Sequence, residues 1–151
     1  MTNQFSPKVS EVLSFSKDEA MRLACASVKP EHLLLGILRE KGNVLTDLLM
    51  RMNISQTDVK NQLEEKVMNS ESTFANTTPE AISLNEQAGN VLKLAVLEAR
   101  IQHTAIVDVE HVILAILHDQ SDNGAKQVLE MNNIDYENTK KYLQTKSTTK
   151  D

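Results

Sequence analysis

The chain has 151 residues, is 40% hydrophobic and carries a formal net charge of -5. That length suffices for one domain-sized core, and no stripe of Lys and Arg is present of the kind that nonspecific nucleic-acid binding needs. Three Phe, two Tyr and no Trp stand against plentiful Leu, Ile, Val, Ala and Met, which suits helix packing better than a β-sandwich or barrel.

Ser6-Pro7 is an N-cap followed by proline at the first helical position, and Val9, Val12, Leu13, Ala20, Leu23 and Ala24 follow at helical spacing. A first helix is predicted from about Pro7 to Cys25. Pro30 opens a short second helix, Glu31 to Glu40, apolar on nearly every side and therefore central, with Gly42 after its end. Val44 to Met52 makes a third helix on the stripe Leu45, Leu48, Leu49 and Met52, and Asn53 turns the chain. Ser55 and Asp58 resemble a capping box that opens a fourth helix through Val59, Leu63 and Val67.

Residues 69–83 are rich in Ser, Thr and Asn, contain Pro79 and lack a sustained apolar period, so they read as a connector. Four more helices follow. Asn85 caps one that runs to about Gln102, Asp108 caps Val109 to Asp119, Gly124 to Asn132 forms the third, and Asp135 caps Tyr136 to Thr145. Residues 146–151 form a polar tail expected to fray.

The second set repeats the first. Phe5 to Leu38 aligns without a gap onto Leu84 to Leu117, with eleven identities in thirty-four pairs, among them Glu19-Ala20 with Glu98-Ala99 and Glu31-His32 with Glu110-His111. One inserted residue, absorbed in Gln120 to Asn123, then matches Leu49, Asn53, Ile54, Lys60 and Leu63 to Leu129, Asn133, Ile134, Lys140 and Leu143. The expected architecture is all-α: an eight-helix, pseudo-twofold bundle in one domain over 1–151, with repeat one about 5–68 and repeat two about 84–145. Each half has the other as its packing partner, so a monomer is expected.

Few residues offer covalent chemistry. Gly36, Gly42, Gly89 and Gly124 are the four glycines, and none lies in a phosphate-binding loop. Neither a nucleophile elbow nor an H-E-x-x-H pair is present. Cys25, between Ala24 and Ala26, reads as a small buried thiol. His103, His111 and His118 lack a Cys or an i, i+4 partner, so neither a metal nor another cofactor is expected. In each half a Glu lies in the first turn of the short apolar helix. Taken singly, the carboxylate complements the helix dipole and the His is a hydrogen-bonded core residue. Taken together, the pair suggests two similar polar pockets, each with a carboxylate beside helix N-terminal amides and able to hold a cation next to an anion.

These residues, in this repeat, resemble the N-terminal domain of the Clp/Hsp100 unfoldases, and most of all the ClpC type. The family's Thr-Glu-His-hydrophobic-Leu-Leu-Gly-Leu motif is matched by Pro30 to Ile37 and by Val109 to Ile116. Phe5-Ser6-Pro7-Lys8-Val9 resembles the family's Phe-Thr-Glu-Arg-Ala, Glu19-Ala20-x-Arg22-Leu23 resembles its Glu-Ala-x-Arg-Leu, and the likeness runs from about Phe5 to Leu143.

The resemblance implies a non-catalytic domain that sits ahead of AAA+ ATPase rings and receives substrate proteins or adaptors for unfolding into the ClpP protease. It further implies phosphoarginine recognition, with Glu31 and Glu110 on the guanidinium and with Ser6, helped by Lys8, and Asn85 at the positions that hold the phosphoryl group. Ser6 and Lys8 favour the first half, whereas Glu86 beside Asn85 adds a repelling carboxylate to the second. The partners expected are substrates and adaptors, some arginine-phosphorylated, and AAA+ modules of the same or another chain, without nucleic acid or membrane. The alternative is a free-standing regulatory protein of the same fold that docks on an unfoldase or protease, since the chain ends soon after the second repeat. Met1-Thr2-Asn3-Gln4 is no cationic, apolar leader, and a cytoplasmic location is expected.

Overall fold

The structure, a computed structural model, describes residues 4–23, 25, 27–40, 43–69, 83–119 and 123–148. Gly42, Gln120 to Asp122, most of the connector and the last three residues lie outside this set. Among the described residues there are eight helices in two successions of four. They are α1 (Pro7–Arg22), α2 (Pro30–Arg39), α3 (Val44–Arg51) and α4 (Gln56–Asn69), then α5 (Glu86–Ile101), α6 (Val109–His118), α7 (Gly124–Met131) and α8 (Tyr136–Thr148). The all-α expectation holds.

Helix starts follow the side-chain oxygens that the sequence offers. The Ser6 Oγ accepts from the Val9 N–H, the Asn85 Oδ1 from the Ala88 N–H and the Asp135 Oδ1 from the Asn138 N–H, each satisfying an amide that the first helical turn leaves unpaired. Helix ends differ more from expectation. The first helix stops at Arg22, because the Cys25 N–H turns back to the Ala20 carbonyl at 2.8 Å and the Leu23 N–H bonds Glu19. α8 runs to Thr148, three residues into the stretch expected to fray. Asn53 and its counterpart Asn133 take φ values of 60° and 66°, the left-handed turn after α3 and α7 that Asn tolerates.

Four two-residue strands, invisible to periodicity, stand before the helix starts: β1 (Gln4–Phe5), β2 (Ser27–Val28), β3 (Ser83–Leu84) and β4 (Ile106–Val107). They pair in parallel and only across the repeat, β1 with β4 and β2 with β3. Exchanging the halves maps one pair onto the other, which is the pseudo-twofold relation at the level of hydrogen bonds. The halves also interlock through side chains. Lys66 donates to Gln127 and Asn132 to Gln62, joining α4 to α7, while the Tyr142 hydroxyl donates to Asp47, joining α8 to α3.

The core is one cluster drawn from both repeats, with Leu33, Leu34, Leu35 and Ile37 of α2 and Val112, Ile113, Ala115 and Ile116 of α6 at its centre. Gly36 is required by this packing. A Cβ there would lie 2.6 Å from both the Val12 carbonyl oxygen and the Ser16 Oγ. The second half solves the same crossing with Ala115 and Ala95, both fully buried.

Candidate functional site

Each Glu-His pair divides its work. His32 Nδ1 accepts the Lys29 N–H at 2.9 Å, and His111 Nδ1 accepts the Asp108 N–H at 2.9 Å, so both imidazoles close a capping box from the third helical position. With Nδ1 accepting, Nε2 carries the proton. In His111 it faces the Gln102 Oε1 at 3.3 Å, whereas in His32 it is buried without a hydrogen-bond partner among the described residues. Burial lowers the pKa of both rings, that of His32 to about 4, and keeps them neutral. The histidines therefore hold the helix starts, and His118 instead bonds the Glu98 carboxylate through Nδ1 at 2.9 Å.

The strand pairs cross the repeats and set each helix start against one of the other half. Pairing of β1 with β4 brings the start of α1 to the start of α6: the Ser6 N–H donates to the Val107 carbonyl at 2.9 Å, and the Ser6 hydroxyl donates to Asp108 at 2.9 Å. Ser6 and Lys8, the second residue of α1, thus stand by the helix start that carries Glu110 rather than the one that carries Glu31. Pairing of β2 with β3 places Asn85 beside α2 in the same way, its N–H on the Val28 carbonyl at 2.8 Å. Asn85 therefore stands by the helix start that carries Lys29 and Glu31.

The two motif carboxylates are not equivalent. Glu31 is 7% exposed, and its Oε1 is buried with no hydrogen bond among the described residues. Its carboxylate lies against the bare backbone of Gly124 at the start of α7, in space that a Cβ at that position would claim. Glu110 is half-buried. In the repeat alignment the counterpart of Gly124 is Val44, so the bare backbone beside Glu31 has no equivalent in the other half. Glu110 is thus the more accessible of the two motif carboxylates.

Ser6 is also more constrained than its sequence suggests. Its hydroxyl is 7% exposed, accepts from Val9 and donates to Asp108. Asp108 adds a second carboxylate to the cleft of Glu110, an electrostatic environment that favours a cationic group over an anionic one. Cys25 is buried, its thiol on the Leu23 carbonyl and its pKa raised by burial, as a structural thiol should be.

Comparison with known proteins agrees with this architecture. The pattern of the Clp repeat (R) N-terminal domain matches residues 4–132. The ATP-binding subunit ClpC of the ATP-dependent Clp protease from Staphylococcus epidermidis is 25% identical over 123 residues, which is 82% of this chain and 14% of that protein. The chain thus spans a small part of the length of such relatives. Among solved structures, the N-terminal domain of the chaperone ClpD from Arabidopsis thaliana superimposes with a TM-score of 0.74 at 18% identity, covering 96% of this chain and 95% of that one. The Hsp104 N-terminal domain from Candida albicans gives 0.72 at 20% identity, covering 91% and 87%. A doubled Glu-His helix start, crossed strand pairs and a family pattern that runs from residue 4 to residue 132, into the second repeat, lead to one assignment: the chain belongs to the Clp repeat N-terminal domain family.

Proposed function

We propose that this chain works by reversible binding, as the substrate- and adaptor-docking module of a ClpC-type AAA+ unfoldase that feeds the ClpP protease in the cytoplasm. What carries the reading is the crossed cleft in which half-buried Glu110 stands two residues from the Asp108 that grips Ser6, with Lys8 on the facing helix start. The cleft offers carboxylates to a guanidinium and helix-start amides with a lysine to an adjoining anion. Arginine-phosphorylated protein is the ligand that such a cleft fits, and the cleft of Glu110, Ser6 and Lys8 is its main seat. The cleft of Glu31, Asn85 and Lys29 is secondary, since Glu31 must first leave the face of Gly124.

The test is a titration of the chain with a phosphoarginine peptide and with its unphosphorylated arginine twin. Glu110→Ala should weaken the phosphorylated peptide more than tenfold, because a charge-assisted pair is worth about 1.5 to 3 kcal/mol. Glu31→Ala should weaken it less. Equal affinity of parent and Glu110→Ala would refute the seat, and failure to bind adaptors, unfolded segments or phosphorylated protein would refute the docking role.

A further inference from the structure

A second site lies at the opposite end of α1 from Ser6, in a cavity of about 480 Å³ between α1, α2 and the start of α4. Leu38, backed by the buried Leu35, gives it an apolar wall, and Arg22, Arg39 and Lys60 outnumber the single lining carboxylate, Glu19, in a chain whose net charge is negative. Glu19 orients the two arginines. Arg22 Nη2 reaches Glu19 at 2.6 Å and Glu64 at 2.6 Å, and Arg39 Nη1 reaches Glu19 at 3.1 Å. Phe15 lies under the Arg39 guanidinium at 4.5 Å and helps fix its plane. A guanidinium has five N–H donors, and Arg22 Nη1 and Arg39 Nε and Nη2 have no hydrogen-bond partner among the described residues. Lys60 has no ion-pair partner among them either. Gln56 and Thr57, the first residues of α4, complete the rim and add the positive end of a helix dipole.

The repeat contains its own control. In the second half Tyr136 replaces Gln56, its ring 4.7 Å from His118, the counterpart of Arg39, and its hydroxyl on Glu98, the counterpart of Glu19, at 3.0 Å. Ile101 stands where the first half has Arg22. There Tyr136 stands in the corresponding space and both arginines are gone, while Lys140, the counterpart of Lys60, lies over the Tyr136 ring at 5.7 Å, so the open cavity with its pair of arginines is a property of repeat one. The geometry points to a binding site for a peptide carboxylate next to an apolar residue: Leu38, backed by Leu35, receives the apolar group while Arg22, Arg39 and Lys60 receive the charge. Such a carboxylate comes either from a chain terminus or from an acidic side chain.

NMR titration of the isotope-labelled chain tests this, with acetyl-Ala-Leu-Leu as its free acid, the same peptide as its amide, acetyl-Leu-Leu-Glu-amide and inorganic phosphate. The free acid should shift the Nε–H signals of Arg22 and Arg39 and the side-chain amide of Gln56, and the amide should not. Response to the glutamate peptide assigns the source to side chains, and its silence assigns it to chain ends. Q56Y, which imports the tyrosine of repeat two and removes no charge, should abolish the shifts. K60E changes an exposed residue and should weaken binding about fivefold, the contribution of an exposed ion pair. Equal shifts from the amide or from phosphate alone, unchanged binding in both variants, or no shifts with any probe would overturn the proposal. Glu110→Ala lies at the other site and should leave these shifts intact, so the two binding roles fail separately.

Discussion

Two glycines of the same chain should answer substitution in opposite ways. A Cβ on Gly36 meets the Val12 carbonyl, a backbone atom that cannot step aside, so Gly36→Ala should cost about 1 to 3 kcal/mol by overpacking. A Cβ on Gly124 meets only the tip of Glu31, a flexible side chain that can swing out, and alanine gains helix propensity of roughly 0.5 to 1 kcal/mol. Gly124→Ala should therefore be neutral or stabilising in urea unfolding, and it should raise the accessibility of Glu31. A severe loss with Gly124→Ala would mean that Glu31 is held in place by more than the vacancy beside it. His32 makes the second residue-scale prediction. Its pKa falls from 6.5 to about 4 because burial disfavours the charged ring, so the unfolded chain takes up a proton between these values and the folded chain does not. Stability is complete above pH 6.5 and is lost as pH falls toward 4, by about 2 kcal/mol between pH 7 and pH 5. In His32→Gln that share of the acid loss should vanish, and an unchanged loss would place the sensitivity elsewhere. Glu19 adds to the loss at lower pH: burial pushes its carboxyl up, but hydrogen bonds and charge from Arg22 and Arg39 outweigh this and hold it below its ordinary value.

At the scale of elements, the caps decide where helices begin, and their worth depends on burial. Asn43 is buried, accepts from the Leu45 and Thr46 amides, and donates to the Ile37 and Glu40 carbonyls at the end of α2. One side chain thus ends one helix and starts the next. Asn43→Ala should cost about 2 to 3 kcal/mol, a cap plus stranded buried partners. Ser55→Ala, which removes one exposed bond of 3.4 Å, should cost about 0.5 kcal/mol. Equal midpoints for the two variants in denaturant would contradict this ranking. The sequence made Ser6, Asn85, Asp108 and Asp135 readable as caps because each stands directly before an apolar period. Asn43 and Asn123 cap α3 and α7 with equal effect, yet they escaped notice because glycine-containing turns beside them read as generic breaks. The four strands escaped too: two residues carry no period, and their partners lie in the other repeat.

For the whole molecule, every strand pair, the α4 to α7 and α3 to α8 hydrogen bonds and the central cluster cross from one repeat to the other. A chain cut to residues 1–69 should therefore expose the faces of α2 and α3 that repeat two covers, and it should lose cooperative unfolding, as read by thermal circular dichroism. A sharp transition in that fragment would show that a repeat is self-sufficient. The same interleaving ties the docking proposed at Glu110 to the integrity of repeat one.

By itself the sequence determined the helical class, the duplication, most helix limits and the doubled Glu-His helix start, because periodicity, capping and self-similarity act over a few residues or by direct comparison of two stretches. Only the tertiary structure decided that Ser6 bonds Asp108 at the start of α6, that Glu31 is folded onto Gly124 while its twin is half-buried, and that Gln56 borders an open cavity whose counterpart position in repeat two holds Tyr136. The first two outcomes depend on side chains that meet from opposite repeats, and the third on how α1, α2 and α4 of one repeat pack together. No local pattern carries it.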